Sequence, residues 1–238
     1  MGKTAWVAGA SGLVGGHLMT QLAAHPAYEK VIALVRSPVN AGWAALPKVK
    51  QHVVDWDALK NNIEQNGLST VERNGLDNAE QDELASPVDD LFCALGTTKK
   101  KTPDSKQYYQ IDVDYPLAFA DIGLQHGATF YGLVSAHGAK AKSLSSYLKM
   151  KGQLETQLTG KTFSHQAIAR PGLLKGDRQE SRLGEQLGEI FTNRLPGNYK
   201  AIYAYDVAAA LIASANTSMN GISLLSSSSM QGAKNRAR

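Results

Sequence analysis

Val7-Ala8-Gly9-Ala10-Ser11-Gly12-Leu13-Val14-Gly15 is the stretch that decides the fold. The apolar run at residues 4–8 reads as a buried strand, the glycines form a turn, and Leu18 and Leu22 beyond it share one face of a helix. The three glycines answer three different needs. Position 9 allows a tight turn, position 12 lets the backbone approach a pyrophosphate, and position 15 lets helix pack closely on strand. A helix that opens near Gly12 aims free amide donors and a positive dipole end at phosphate. The pattern therefore predicts a dinucleotide site made by Gly9, Ser11, Gly12, Leu13, Val14 and Gly15. A glycine turn without a ligand is the bland alternative, and the strand before and helix after weigh against it.

Further apolar runs follow at 31–35, at Val53-Val54, and at 91–95, 129–135 and 164–170, separated by helical stretches. Strands buried on both faces and alternating with helices predict an α/β fold, a Rossmann-type doubly wound parallel sheet. A chain of 238 residues suits one such domain. The polar stretch 59–86 is expected as a helix and loop inserted on the surface. Residues of about 173–202 are expected to form a small C-terminal substrate-capping segment, and the serine run and basic end, 226–238, to fray. Gly9, Arg36, Asp55, Gly96, Ser135 and Pro171 fall just past the expected strand ends, on the rim where such sheets bind ligands.

Arg36 stands where an acid would bond the ribose hydroxyls of NAD. A guanidinium there clamps a 2′-phosphate and stacks on adenine, so NADPH is the expected cofactor and NADH the alternative. A solvated surface arginine is the competing reading. Asp55 is suited equally to accept from the adenine amino group and to cap the following helix. Leu95-Gly96-Thr97-Thr98 suits a loop beneath the cofactor, with Gly96 permitting close approach and a threonine hydroxyl meeting ribose or phosphate.

Tyr147 and Lys151, four apart, lie one above the other on a helix. A phenol near its free pKa of about 10 is poorly matched to proton transfer at neutrality, and an adjacent ammonium lowers it. Lys151 is expected to do this and to hold the nicotinamide ribose. Ser135, at a strand end, is expected to bond and orient a substrate carbonyl. Tyr-x-x-x-Lys alone is common by chance; its coincidence with the glycine turn gives it weight.

The glycine turn, Ser135, Tyr147 and Lys151 together resemble the atypical branch of the short-chain dehydrogenase/reductase superfamily. Val53-Val54-Asp55, Leu95-Gly96-Thr97-Thr98, and Arg170-Pro171-Gly172-Leu173 through Asp177-Arg178-Gln179-Glu180-Ser181-Arg182 more narrowly resemble the oxidoreductase-like Tat-interacting protein family. The resemblance implies NADPH binding, with Pro171 and Leu173 against the nicotinamide. Asp112 stands where many superfamily members carry an asparagine that supports a proton-relay water. It also reads as a helix cap, and it is left outside the expected catalytic set. Arg178, Gln179 and Arg182 follow the Arg-Pro-Gly turn and are candidates for reading a polar or anionic substrate, with a salt-bridged loop as the equal alternative. Asp206 is expected to cap the helix after it.

Cys93, the only cysteine, lies in an apolar run and reads as core. It excludes an intrachain disulfide and fits a reducing compartment, so a cytoplasmic location is expected. The histidines lack metal-ligand spacing, and no metal is expected. No apolar window is long enough for a membrane span. The net charge of +4 comes without a nucleic-acid reading motif, so neither nucleic acid nor membrane is an expected partner. The reading that unites these signals is hydride transfer between NADPH and a small carbonyl or alcohol. Its rival is an NADPH-binding protein that docks a protein partner with little or no catalysis.

Overall fold

The computed structural model describes residues 2–66, 87–175 and 201–233. β1 (Lys3–Ala8) runs into the glycine turn and α1 (Leu13–Ala24), followed by β2 (Tyr28–Val35), a 3₁₀ turn (Gly42–Ala45), β3 (Val49–Val53) and α2 (Trp56–Asn66). The chain resumes with β4 (Asp90–Cys93), α3 (Ser105–Tyr109), a π-helical turn (Gln110–Asp114), α4 (Tyr115–Gln125) and β5 (Phe130–Val134). α5 (Ser146–Thr159), β6 (His165–Arg170), β7 (Leu174–Lys175), β8 (Ile202–Tyr203), α6 (Ala204–Ala215), β9 (Gly221–Ser226) and α7 (Ser227–Met230) complete it.

Seven strands form one sheet in the order β3-β2-β1-β4-β5-β6-β9, every pairing parallel. This is the doubly wound Rossmann arrangement. Parallel strands need crossovers, and the apolar faces of the helices cover both sides of the sheet. One core gathers Val7, Leu18, Met19, Leu22 and Leu211 under α1 and α6; the other gathers Trp6, Leu91, Phe119, Leu133 and Leu154 under α2, α4 and α5.

The chain winds outward from β1 to β3, then returns to place β4 on the other flank of β1. That reversal is the switch point at which such sheets open a crevice. Register puts Ala8 beside Cys93, Cys93 beside Leu133, and Leu133 beside Ile168. Counting one or two residues further along each strand brings the glycine turn, the β4 loop, Ser135 and Arg170 onto one rim. Gly9 has a φ of 83°, and a side chain on it would lie 2.5 Å from the Ala94 carbonyl oxygen. Only glycine lets the two strand ends meet so closely.

Two sequence expectations change here. The serine run does not simply fray: Ser226 ends β9, and Ser227–Met230 form α7, with Ser227 and Met230 buried. Asp206 does not cap α6; it lies buried inside the first turn of that helix, whose N-cap is Tyr203. Residues 234–238 of the tail expected to fray lie outside the described residues, and two other expectations fall partly beyond them. The polar stretch after residue 59 begins as α2, and residues 67–86 lie outside the described residues. Of the expected capping segment, the two ends meet as the parallel pair β7 and β8, and 176–200 lie outside the described residues.

The loop after β5 presses on α5 at Gly152, where a side chain would lie 2.2 Å from the Lys140 carbonyl carbon. Helix propensity alone favours alanine there by up to about 1 kcal/mol. We expect Gly152→Ala to lower stability instead, by about 1–3 kcal/mol, because backbone must shift. Denaturant unfolding checks this; a neutral or stabilised variant would contradict the close approach.

Candidate active site

α1 begins at Gly12, whose backbone is extended and whose cap carries no side-chain hydrogen bond. No acid lies in its first turn. Its opening amides thus meet the rim with neither a capping side chain nor a repelling carboxylate. A side chain on Gly15 would lie 2.0 Å from the Gly9 carbonyl oxygen, so the helix packs on the turn with no room for a Cβ. Arg36 is exposed immediately past β2. Asp55 is spent at least in part as a cap: its Oδ1 accepts the amides of Asp57 and Ala58, both at 3.0 Å.

Tyr147 sits in the first turn of α5, 38% exposed, while Lys151 one turn below is 4% exposed. The Lys151 ammonium lies 2.9 Å from Asp112 Oδ1, and Asp112 itself is 1% exposed. Its other oxygen, Oδ2, accepts the Thr97 amide at 2.9 Å. One carboxylate thus joins the α5 lysine to the β4 loop. A side chain on Gly96 would come within 3.6 Å of the Lys151 nitrogen, which seats that loop directly over the pair. Thr97 and Thr102 hydroxyls bond at 2.9 Å and close the loop on itself.

Asp112 lies in the π-helical turn between α3 and α4. Such turns are rare and concentrate at functional sites. The helix-cap reading of Asp112 therefore gives way to an ion pair in the centre of the site.

Burial would by itself lower the Lys151 pKa, but the carboxylate of Asp112, with Tyr147 adding to it, holds it above the ordinary value. The Tyr147 phenol is raised: burial pushes it up, Lys151 pulls it down as expected, and Asp112 pushes it up again. The expectation that the lysine lowers the phenol is right in sign for that pair, yet outweighed. Neighbouring Tyr108 is pushed up to about 12 by burial, Asp112 and Tyr147. The Cys93 thiol is fully buried and its pKa raised by that burial, which suits core and not a thiolate.

Ser135 is buried, and its hydroxyl donates to Glu155 Oε1 at 2.5 Å. Glu155, also buried, is gripped by Arg170 through Nε at 3.0 Å and a terminal nitrogen at 2.5 Å. The hydrogen expected to reach a substrate carbonyl is committed to a carboxylate, because an ionised glutamate is the stronger acceptor. Ser135 thereby ties the end of β5 to α5. Sequence reasoning missed Glu155, although it continues the four-residue spacing of Tyr147 and Lys151 along the same stripe. Pro171 is buried and its carbonyl accepts the His137 amide; the Leu173 carbonyl accepts the Ile202 amide. Arg178, Gln179 and Arg182 lie outside the described residues.

No family model matches the chain. It is 30% identical over 217 residues to HTATIP2 of Rattus norvegicus, covering 90% of this chain and 80% of that protein. It is 30% identical over 188 residues to the mitochondrial protein fmp52 of Emericella nidulans, covering 79% of this chain and 73% of that protein. Among solved structures, an oxidoreductase of the short-chain dehydrogenase/reductase family from Burkholderia thailandensis superposes with a TM-score of 0.63 at 17% identity, covering 100% of this chain and 96% of that one. The UDP-glucose 4-epimerase of Thermus thermophilus in complex with NAD superposes at 0.61 and 16%, covering 98% and 83%.

The expected cytoplasmic location does not stand: the fungal relatives from Emericella nidulans, Aspergillus terreus, Candida glabrata and Candida albicans are all named mitochondrial. On the identity and coverage of the rat and fungal relatives, the chain belongs to the family of HTATIP2 and FMP52 proteins.

Proposed function

We propose that this protein is an NADPH-dependent oxidoreductase that reduces a small carbonyl compound, or runs the reverse reaction on the alcohol. The observation that carries the reading is the Tyr147–Lys151 stripe at the ligand rim, its ammonium fixed by Asp112 under the Leu95–Thr98 loop. The glycine cradle at the start of α1 fits a dinucleotide's phosphates, and the NAD bound by the Thermus thermophilus neighbour supports a nicotinamide group there. The nicotinamide supplies hydride when bound.

Tyr147 gives its phenolic proton to the carbonyl oxygen as the carbon accepts hydride, and recovers a proton from solvent afterwards. A phenol held above its ordinary pKa rests protonated near neutrality, the state that reduction needs. Lys151 stabilises the phenolate left behind, and Asp112 keeps that ammonium charged and in place. Ser135 contributes by bracing α5 through Glu155. Leu95, Gly96, Thr97 and Thr98, with Pro171 and Leu173, would hold the nicotinamide end of the cofactor near Tyr147. Arg36 reads the 2′-phosphate, since an exposed guanidinium pairs well with a dianion and an NAD ribose offers no charge for it.

Tyr147→Phe is expected to remove turnover by roughly 10²-fold or more while leaving NADPH affinity within error, as loss of a positioned acid should. Loss of NADPH absorbance across an aldehyde, ketone and quinone panel measures it. Wild-type activity retained in this variant excludes Tyr147 as the acid. No turnover by the wild type on any of them favours the docking protein over the enzyme.

Cofactor choice is tested by calorimetric titration. NADPH should bind more tightly than NADH, and Arg36→Ala should erase most of the difference; equal affinities in the wild type would remove the assignment of Arg36.

The site's electrostatics predict a pH effect with a definite sign. Asp112 disfavours the Tyr147 phenolate, so Asp112→Asn should lower the phenol's pKa. In the alcohol-oxidising direction, which needs the phenolate, the limb of kcat/KM that rises with pH should move to lower pH. A limb that stays or moves upward would show that Asp112 acts only as a strut.

A further inference from the structure

We infer that the substrate carries an anionic group, a phosphate or a carboxylate, beside its reacting carbonyl. The inference rests on the oxidoreductase reading for the reacting group, but the charge distribution that motivates it is independent of that reading.

The loops after β4 and β5, with the first turns of α3 and α5 that follow them, leave the sheet at the end where Tyr147 lies. Residues 95–106 carry exposed Lys99, Lys100, Lys101 and Lys106; residues 135–150 carry exposed Lys140, Lys142 and, on another face of α5 from Tyr147, Lys149. Against these seven lysines stands one acid, Asp104, whose Oδ1 is engaged by the Gln107 amide at the start of α3. The whole chain has a formal net charge of +4, so everything outside these two segments is net negative. Among the described residues, the excess of basic over acidic side chains falls in these two segments.

The two segments are neighbours in space. β4 and β5 are paired in the sheet, and both loops leave its carboxyl end. Tyr108, two residues after Lys106, lies within electrostatic reach of Tyr147. Lys140 donates its backbone amide to the Leu148 carbonyl, next to Tyr147 in the chain. Lysines so grouped beside a crevice raise the local concentration of anions and speed their capture.

The cofactor's own phosphates do not account for them. Those phosphates fit the amides of α1 and the guanidinium of Arg36, on the β1 and β2 side of the switch point, whereas the lysines follow β4 and β5. The buried Lys151 adds little outside charge, being paired with Asp112. A small anion held by exposed lysines next to a protonated phenol is what this arrangement recruits.

The test uses two matched pairs with the full chain saturated with NADP: glyceraldehyde 3-phosphate against glyceraldehyde, and 4-oxobutanoate against butanal. Binding is read by calorimetry at low and at physiological salt, and turnover with NADPH separately. We expect the anionic member of at least one pair to bind about tenfold more tightly at low salt, an advantage that shrinks as salt rises. The phosphate pair and the carboxylate pair tell the two anions apart. The double variants Lys99→Gln/Lys100→Gln and Lys140→Gln/Lys142→Gln, all at exposed positions, should each cut that advantage several-fold without changing NADPH affinity or the binding of the neutral member.

Equal binding of both members of both pairs overturns the inference, as does an advantage that the lysine variants leave intact. Tighter, lysine-dependent binding of duplex DNA or of phosphatidylserine vesicles than of either small anion overturns it in favour of a macromolecular partner. Lysine-dependent anion binding without any turnover upholds the anion site and sinks the oxidoreductase reading; turnover of both members with equal binding does the reverse.

Discussion

The buried ion pair between Lys151 and Asp112 is the constraint on which the site depends. Each charge has been taken out of water, a cost of several kcal/mol per ion that close contact and further hydrogen bonds must offset. The offset is visible: one carboxylate oxygen meets the ammonium and the other takes the Thr97 amide. Because these partners come from α5, the π-helical turn and the β4 loop, satisfying the charges also fixes three crossovers against one another. Loss of either partner would leave an uncompensated charge, which explains how a rim made of loops can hold a fixed geometry.

A second buried carboxylate does comparable work one turn further down the same helix. Glu155 is held by Arg170 from β6 and by Ser135 just past β5, so the sheet's end is pinned to α5 just below the ion pair. The stripe Tyr147, Lys151, Glu155 therefore runs from a partly exposed phenol through a paired ammonium to a fully bridged anion. The depth of each group decides its role. Only the topmost is open enough to meet a substrate; Lys151 favours its phenolate, and Glu155 ties the helix to the sheet below.

Much of this architecture was legible in the sequence because it rests on local pattern. Gly9, Gly12 and Gly15 are glycines for reasons of turn conformation and close approach that any strand–turn–helix imposes. Six strands of the sheet follow from apolar runs that only a doubly covered strand requires. The strand β9 escaped notice because it lies at the sheet's edge, where Ile222 and Leu224 remain half exposed and serines interrupt the run. The Tyr147–Lys151 spacing was readable as a helical stripe, and Glu155 on the same stripe was overlooked. What no spacing could supply is which partner a side chain meets from a distant segment. Asp112 is 39 positions before Lys151, and a π-helical turn that sequence does not announce brings it there. Ser135 could be placed at a strand end, but the direction of its hydrogen depends on a carboxylate from another element.

Charge tells a similar story at larger scale. Counted along the chain, the basic residues look dispersed, and the net charge alone separates few functions. Sorted by where the topology delivers them, Lys151 is neutralised inside the site, while the segments after β4 and β5 carry seven exposed lysines. The two sets follow different physics. The inner lysine is screened little by salt, since water is excluded, and its effect on the phenol depends on the nearby carboxylate. The outer lysines are screened within about 8 Å at physiological ionic strength, so they act on what approaches and hardly on the proton chemistry beneath. The proposed capture of an anion and the proton affinity of the phenol would thus be set by separate groups of charges.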